Sequence, residues 1–192
     1  MERDAPALYI ITGGPGSGKT TLLNELGRDG CITVPEEGRR VIKEQLSMNG
    51  EGLPWINKNL FAKLMFDASV AAYQEISRIP DLKAAFFDRG ILDTIGYLKT
   101  ENIRVPEEMK IQASAMVYHK NVFILPPWDE IYENDPERKQ TPEEAILTFN
   151  CIKETYLEFG YHLIEVPKDT LRQRLQFVLE KIEIDNSDSV IL

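Results

Sequence analysis

Cysteine is scarce: the 192 residues include only Cys31 and Cys151. They stand far apart, with no C-x-x-C pair and no Cys/His cluster, which argues against a zinc site. Both are expected to be reduced core residues of a cytoplasmic protein. Histidine is equally rare, and His119 and His162 flank apolar segments without partners at ligand spacing. Both read as structural. No apolar run approaches the roughly 20 residues that span a bilayer. The first residues, Met1 to Pro6, carry charge instead of a signal-peptide stretch, so no membrane association is expected. Positive charge is in deficit as well. A formal net charge of −9 argues against broad nucleic-acid binding, although a local basic pocket for a small phosphorylated ligand is compatible with it.

What is present is strand-helix alternation. Five short apolar segments read as strands: Leu8 to Thr12, Cys31 to Val34, Ala84 to Asp88, Asn121 to Leu125 and His162 to Val166. Most are continuous apolar runs, as expected for strands covered on both faces. Helical spacing appears between Asn57 and Ile79, where Phe61, Met65, Ala68 and Ala72 share a face. It recurs after Pro142, where Ile146, Phe149, Ile152, Tyr156 and Phe159 are expected to be buried before Gly160 ends the helix. A third helix runs from about Leu171 to Ile182, leaving a polar tail over 183–192. The expected fold is a single three-layer α/β/α domain around a parallel sheet, with its core over about residues 7–182. Residues 126–142 are polar and follow a strand directly, which marks them as a candidate lid.

The strongest signal is the run Gly13, Gly14, Pro15, Gly16, Ser17, Gly18, Lys19 and Thr20. It fits the phosphate-loop pattern G-x-x-x-x-G-K-[ST] at every fixed position, after an apolar strand and before the helix that contains Thr21 and Leu22. Glycines permit the tight turns and close approach by which backbone amides converge on a phosphate, and the helix N-terminus adds a favourable dipole. Lys19 is expected to reach the β- and γ-phosphates of ATP, and the Thr20 hydroxyl to ligate Mg2+.

Other motifs sort the phosphate-loop classes. The Asn57-Lys58-Asn59-Leu60 string lacks the acid of a GTPase base reader, and Asp93 to Gly96 spells Asp-x-x-Gly too far past its strand. No Ser-Gly-Gly-Gln signature is present. The third strand ends Phe87-Asp88-Arg89-Gly90 and lacks the Asp-Glu pair of an AAA+ motor. Asp88 is a candidate for binding magnesium through water or accepting a proton from an acceptor hydroxyl. Arg89 offers a fork for phosphate or carboxylate. The plain alternative for Asp88 is a cap on the helix beginning near Ile91.

With these residues the chain resembles the AAA-domain family that includes the ribosylnicotinamide kinase domain of the NAD-biosynthesis regulator. More broadly it is similar to thymidylate and deoxynucleoside kinases. The phosphate loop, the Val34-Pro-Glu-Glu-Gly-Arg-Arg-Val-Ile segment, Phe87-Asp-Arg-Gly and Val166-Pro carry the resemblance, which runs from about Leu8 to Ile182. It implies a kinase-like five-stranded sheet of order 2-3-1-4-5. It also implies that Glu37, or Glu36 in its place, holds the acceptor hydroxyl, that Arg138 closes from the lid with Lys139 assisting, and that the turn after Val166 lies beside the adenine.

Glu36, Glu37, Arg39 and Arg40 follow the second strand and should face the same cleft as the phosphate loop. Arg40 and Arg89 are candidates to position the acceptor. The plainer account is acids at a helix N-terminus followed by solvated arginines. Trp55, Phe61, Phe66 and Tyr97 are candidates to line a base-sized pocket, with plain core the alternative. Arg174 reads as a surface arginine, with adenine stacking as its functional alternative. Together these readings predict an ATP- and magnesium-dependent phosphotransferase with a small acceptor of the nucleoside or nucleotide class. A regulatory ATPase or switch without such an acceptor is the alternative. The acceptor's identity, the choice of base among Glu36, Glu37 and Asp88, and the oligomeric state are left open.

Overall fold

The computed structural model describes residues 6–128 and 141–188. Five strands, β1 (Ala7–Gly13), β2 (Ile32–Val34), β3 (Ala84–Asp88), β4 (Asn121–Leu125) and β5 (His162–Glu165), form one parallel sheet in the order β2-β3-β1-β4-β5. Seven helices are interspersed among the described residues: α1 (Lys19–Arg28), α2 (Glu37–Ser47), α3 (Lys58–Ser77), α4 (Ile91–Thr100), α5 (Glu107–Ser114), α6 (Pro142–Glu158) and α7 (Leu171–Asp188).

The layers follow from the alternation of side chains along each strand. Leu8 and Ile10 of β1, with Phe87 of β3 and Val122 and Ile124 of β4, pack against Phe66 of α3, Ile91 and Ile95 of α4 and Ile152 and Tyr156 of α6. The intervening Tyr9 and Ile11, with Phe86 and Phe123, pack on the other face against Leu22 and Leu26 of α1 and Val178 and Ile182 of α7. Neither face of β1 reaches solvent, which is why Ala7 to Ile11 form an unbroken apolar run. A third cluster joins Val41 and Ile42 of α2 to Phe61 and Met65 of α3.

Several boundaries and burials differ from the expectation. Cys31 lies just before β2, and both cysteines are half-buried, Cys31 packing against the edge of the core. Ile146 is half exposed. Helix α6 turns Ala145, Phe149, Ile152 and Tyr156 inward, and a helical step of about 100° carries Ile146 off that face. Val166 falls beyond β5, although its N–H still donates to the Ile124 carbonyl at 3.0 Å. Helix α7 continues to Asp188, six residues past Ile182, so much of the expected tail is helical. Helix α5 buries only Ala113, a pattern too sparse for periodicity to reveal. No helix among the described residues is long and apolar enough to cross a membrane.

The sheet's central strand ends at Gly13, where φ is 138° and a Cβ would sit 2.3 Å from the Leu125 carbonyl oxygen. Backbone contacts of that kind cannot be relieved by a rotamer change. Gly13→Ala should therefore lower the unfolding free energy by about 3 kcal/mol, read from urea denaturation. A variant as stable as the parent would contradict the tight β1–β4 ending.

Candidate functional site

All five strands run in one direction, so their carboxyl ends open on a common edge. The turn from β1 to α1 lies there. Gly16 (φ 69°) and Gly18 (φ 79°) occupy the left-handed region that favours glycine. Ser17 Oγ donates to the Gly14 carbonyl at 2.9 Å, and Lys19 Nζ folds back to donate to the same oxygen at 2.7 Å. Gly14 itself abuts α6, where a Cβ would come within 3.1 Å of the Ala145 carbonyl oxygen. Thr20, in the first turn of α1, donates its hydroxyl to Asp88 Oδ2 at 3.2 Å. Thr21, next along the helix, is exposed.

Beside this turn, three charged residues, Arg89, Glu36 and Asp93, form a largely buried network. Arg89 follows β3 with φ 70°, a conformation that costs a non-glycine residue roughly 1–3 kcal/mol. Its N–H is anchored on the Ile11 carbonyl at 3.0 Å. Its guanidinium donates to Glu36 Oε1 at 3.2 Å and to Asp93 Oδ1 at 3.0 Å. Asp93 also accepts from the Thr12 hydroxyl, from the Gly90 N–H at 2.9 Å and from the Tyr156 hydroxyl at 2.6 Å. It thereby ties β1, α4 and α6 to Arg89.

Burial and neighbouring charge set the protonation of this group. Burial, reinforced by the Arg89 charge, lowers the Lys19 pKa from 10.5 to about 7, against the opposing pull of Asp88, Glu36 and Asp93. Burial and the nearby Glu36 raise Asp88 above the ordinary carboxylate range. Burial disfavours the charge on Arg89, but Glu36, Asp93 and Asp88 outweigh it and hold Arg89 protonated, above its usual value.

A cavity of about 500 Å³ opens against Pro15, Glu36, Arg89 and Asp93. Trp55, Phe61, Tyr97 and Met65 supply its apolar wall, with the Phe61 and Tyr97 rings edge to face at 5.4 Å. Phe66 lines neither this cavity nor the smaller cleft near Glu37. It belongs to the core. Glu36 thus lines the larger cavity, whereas Glu37 borders the water-sized cleft and accepts from Arg40 at 2.5 Å. Arg40 is exposed, shared between Glu37 and Glu44, and lines neither space. The structure does not bring it to the acceptor side. Arg138, Lys139 and most of the expected lid lie outside the described residues.

Two site residues were misread from sequence. Arg174 is buried: its guanidinium donates to the Ser17 carbonyl at 2.9 Å and lies over the Trp128 ring. Its position on a helix turn after the last strand gave no sign that α7 packs against the phosphate loop. In the sequence Asp93 reads only as part of a displaced Asp-x-x-Gly string. The available signal was its place three residues after Gly90, where a carboxylate caps a helix start.

The donors suit a polyphosphate carrying a divalent cation. Asp88 Oδ1 is buried without a hydrogen-bond partner beside the Thr20 hydroxyl, an arrangement completed by a cation or its bound water. Among the described residues no group of three or more His, Cys, Asp or Glu converges on one point, so a cation here would be shared with the bound phosphates. Strand, glycine turn, folded-back lysine and Thr20–Asp88 pair define a P-loop domain of the NTPase class. The chain belongs to the AAA domain family, whose profile matches residues 8–174. No curated protein matches it.

Solved structures show the same fold. A thymidylate kinase from Candida albicans is 16% identical over 95% of this chain and 93% of that one, with a TM-score of 0.65. NadR protein in complex with NR is 19% identical over 92% of this chain and 50% of that one, at 0.69. A deoxyadenosine kinase from M. mycoides with bound dATP is 13% identical over 92% and 99%, at 0.61.

The lowered Lys19 pKa has a measurable sign. Between pH 7 and 10.5 the unfolded chain holds more protons on this lysine than the folded one, so stability rises with pH. The cost of burying the charged ammonium is full below pH 7 and is relieved by pH 10.5. From pH 7 to 9, wild type should gain roughly 2 kcal/mol over Lys19→Met in paired denaturant titrations. Parallel pH curves for the two proteins would refute the buried, low-pKa lysine.

Proposed function

We propose that this protein is an ATP- and magnesium-dependent phosphotransferase acting on a small acceptor of the nucleoside or nucleotide class. The observation that carries this reading is the 500 Å³ cavity beside the phosphate loop. A regulatory switch or motor has no need of a second small-molecule site there, whereas a kinase must seat an acceptor against the terminal phosphate. Solved structures of similar fold include thymidylate, deoxyadenosine and shikimate kinases, which supports the same reading. A cytoplasmic setting, where ATP is at hand, belongs to the proposal.

In this proposal the amides of Gly14 and of Gly16 to Thr20 wrap the polyphosphate, and Lys19 exchanges its bond to the Gly14 carbonyl for the β- and γ-phosphates. That exchange returns a positive charge to the lysine by giving it anionic neighbours. Thr20 and Asp88 hold the magnesium ion, which neutralises charge on the phosphates when bound. Glu36, at the junction of cavity and loop, orients the acceptor hydroxyl; Asp88 and Glu37 are the other carboxylates within the same edge. Arg89, fixed by Glu36 and Asp93, keeps a constant positive field where charge develops. Arg138 is proposed to add its charge from the segment that follows β4.

The decisive measurement supplies ATP labelled at the γ-position, with magnesium, to a panel of nucleosides, nucleotides and hydroxylated metabolites. At least one acceptor should gain the label, and Lys19→Met or Asp88→Asn should slow that transfer by about a thousandfold. Continued ATP hydrolysis with no labelled acceptor would exclude a phosphotransferase and leave a partner-regulated ATPase.

A further inference from the structure

The charge of the acceptor cavity narrows the acceptor class, an inference that rests on the phosphotransferase reading. Its described lining holds two cations, Lys58 and Arg89, and four carboxylates, Glu36, Asp93, Glu101 and Glu144. Both cations are already engaged. Arg89 lies between Glu36 and Asp93, the two carboxylates almost fully buried with it, and Glu36 is also paired with Arg39 at 3.2 Å, from outside the lining. Lys58 Nζ is held by Glu101 Oε2 at 2.5 Å, linking the start of α3 to the residue after α4. Glu144 accepts from the Thr141 N–H at 2.7 Å within the cap of α6 and has no ion-pair partner among the described residues.

A phosphate group entering this space would meet excess carboxylate, and would have to displace an existing ion pair to find a partner. Like-charge juxtaposition of that sort rejects a ligand strongly. Hydroxyl groups meet the opposite situation, because an ionised carboxylate only accepts hydrogen bonds and each hydroxyl brings a donor. The apolar side of the cavity adds a second requirement. Trp55 leaves 57% of its surface exposed at the rim, an open aromatic face next to the Phe61–Tyr97 pair. A planar ring stacks on such a face.

We infer that the cavity takes a hydroxylated acceptor with a planar ring and no phosphate, a free nucleoside in preference to a nucleoside monophosphate. Discrimination lies in the carboxylates that outnumber and occupy the cations. Arg89 therefore acts as a fixed strut between Glu36 and Asp93, not as a fork awaiting an acceptor phosphate.

The test compares matched pairs, each nucleoside against its own 5′-monophosphate, with the intact protein, magnesium and γ-labelled ATP. Binding of the same pairs is measured by calorimetry with a non-hydrolysable ATP analogue present. Nucleosides should be favoured by roughly tenfold or more in both kcat/KM and affinity. In the double variant Glu101→Gln and Glu144→Gln the ratio should shrink by roughly tenfold, because the excess negative charge is removed and Lys58 is released. Glutamine retains the α6 cap, so the fold is kept. Label appearing preferentially on monophosphates overturns this inference while leaving the phosphotransferase reading intact. Nucleoside preference that the double variant does not change overturns the electrostatic cause. Absence of label on both members of every pair overturns the inference and the phosphotransferase reading together.

Discussion

Strand β1 is enclosed on every side, by β3 and β4 at its edges and by a helical layer on each face. Enclosure fixes where the strand stops, and Gly13 must turn within contact distance of the Leu125 carbonyl because nothing larger fits. The phosphate loop is thus launched from a fully enclosed strand end. The parallel arrangement brings the ends of β2 and β3 to the same edge, so Glu36, Asp88 and Arg89 arrive beside the loop without further devices.

Charge balance at that edge is the second constraint. Lys19 and Arg89 repel one another in a buried setting, and three carboxylates, Asp88, Glu36 and Asp93, hold them in place. The result is asymmetric. Arg89 is held by two fixed carboxylates, while Lys19, among the described residues, donates to a carbonyl and a distant hydroxyl. The lysine is the group whose energy improves most when an anion arrives. The left-handed backbone at Arg89 is sustained by the same carboxylates, so local strain and electrostatic order share one cause.

Much of this was legible in the chain. The phosphate loop is readable because its glycines, lysine and threonine serve a backbone geometry that few sequences satisfy. Unbroken apolar strands report two-sided burial directly. What escaped was tertiary in origin. Arg174 looks like any helix-surface arginine until α7 is laid against the loop, and Asp93 looks like a stray acid until Thr12 and Tyr156 converge on it. Choosing between Glu36 and Glu37 depends on which side of a helix start faces inward, a matter of about 100° that composition does not encode. Ile146 fell to the same ambiguity.

The bond from Arg174 to the Ser17 carbonyl spans 157 positions of sequence. The loop's own residues are all made early on the ribosome, yet one of the cations fastening them belongs to the final helix. A nascent chain can hold the nucleotide motif complete in covalent terms and still lack this fastening until translation has passed the last strand. Fastening of the loop is thereby a late event in the life of the polypeptide.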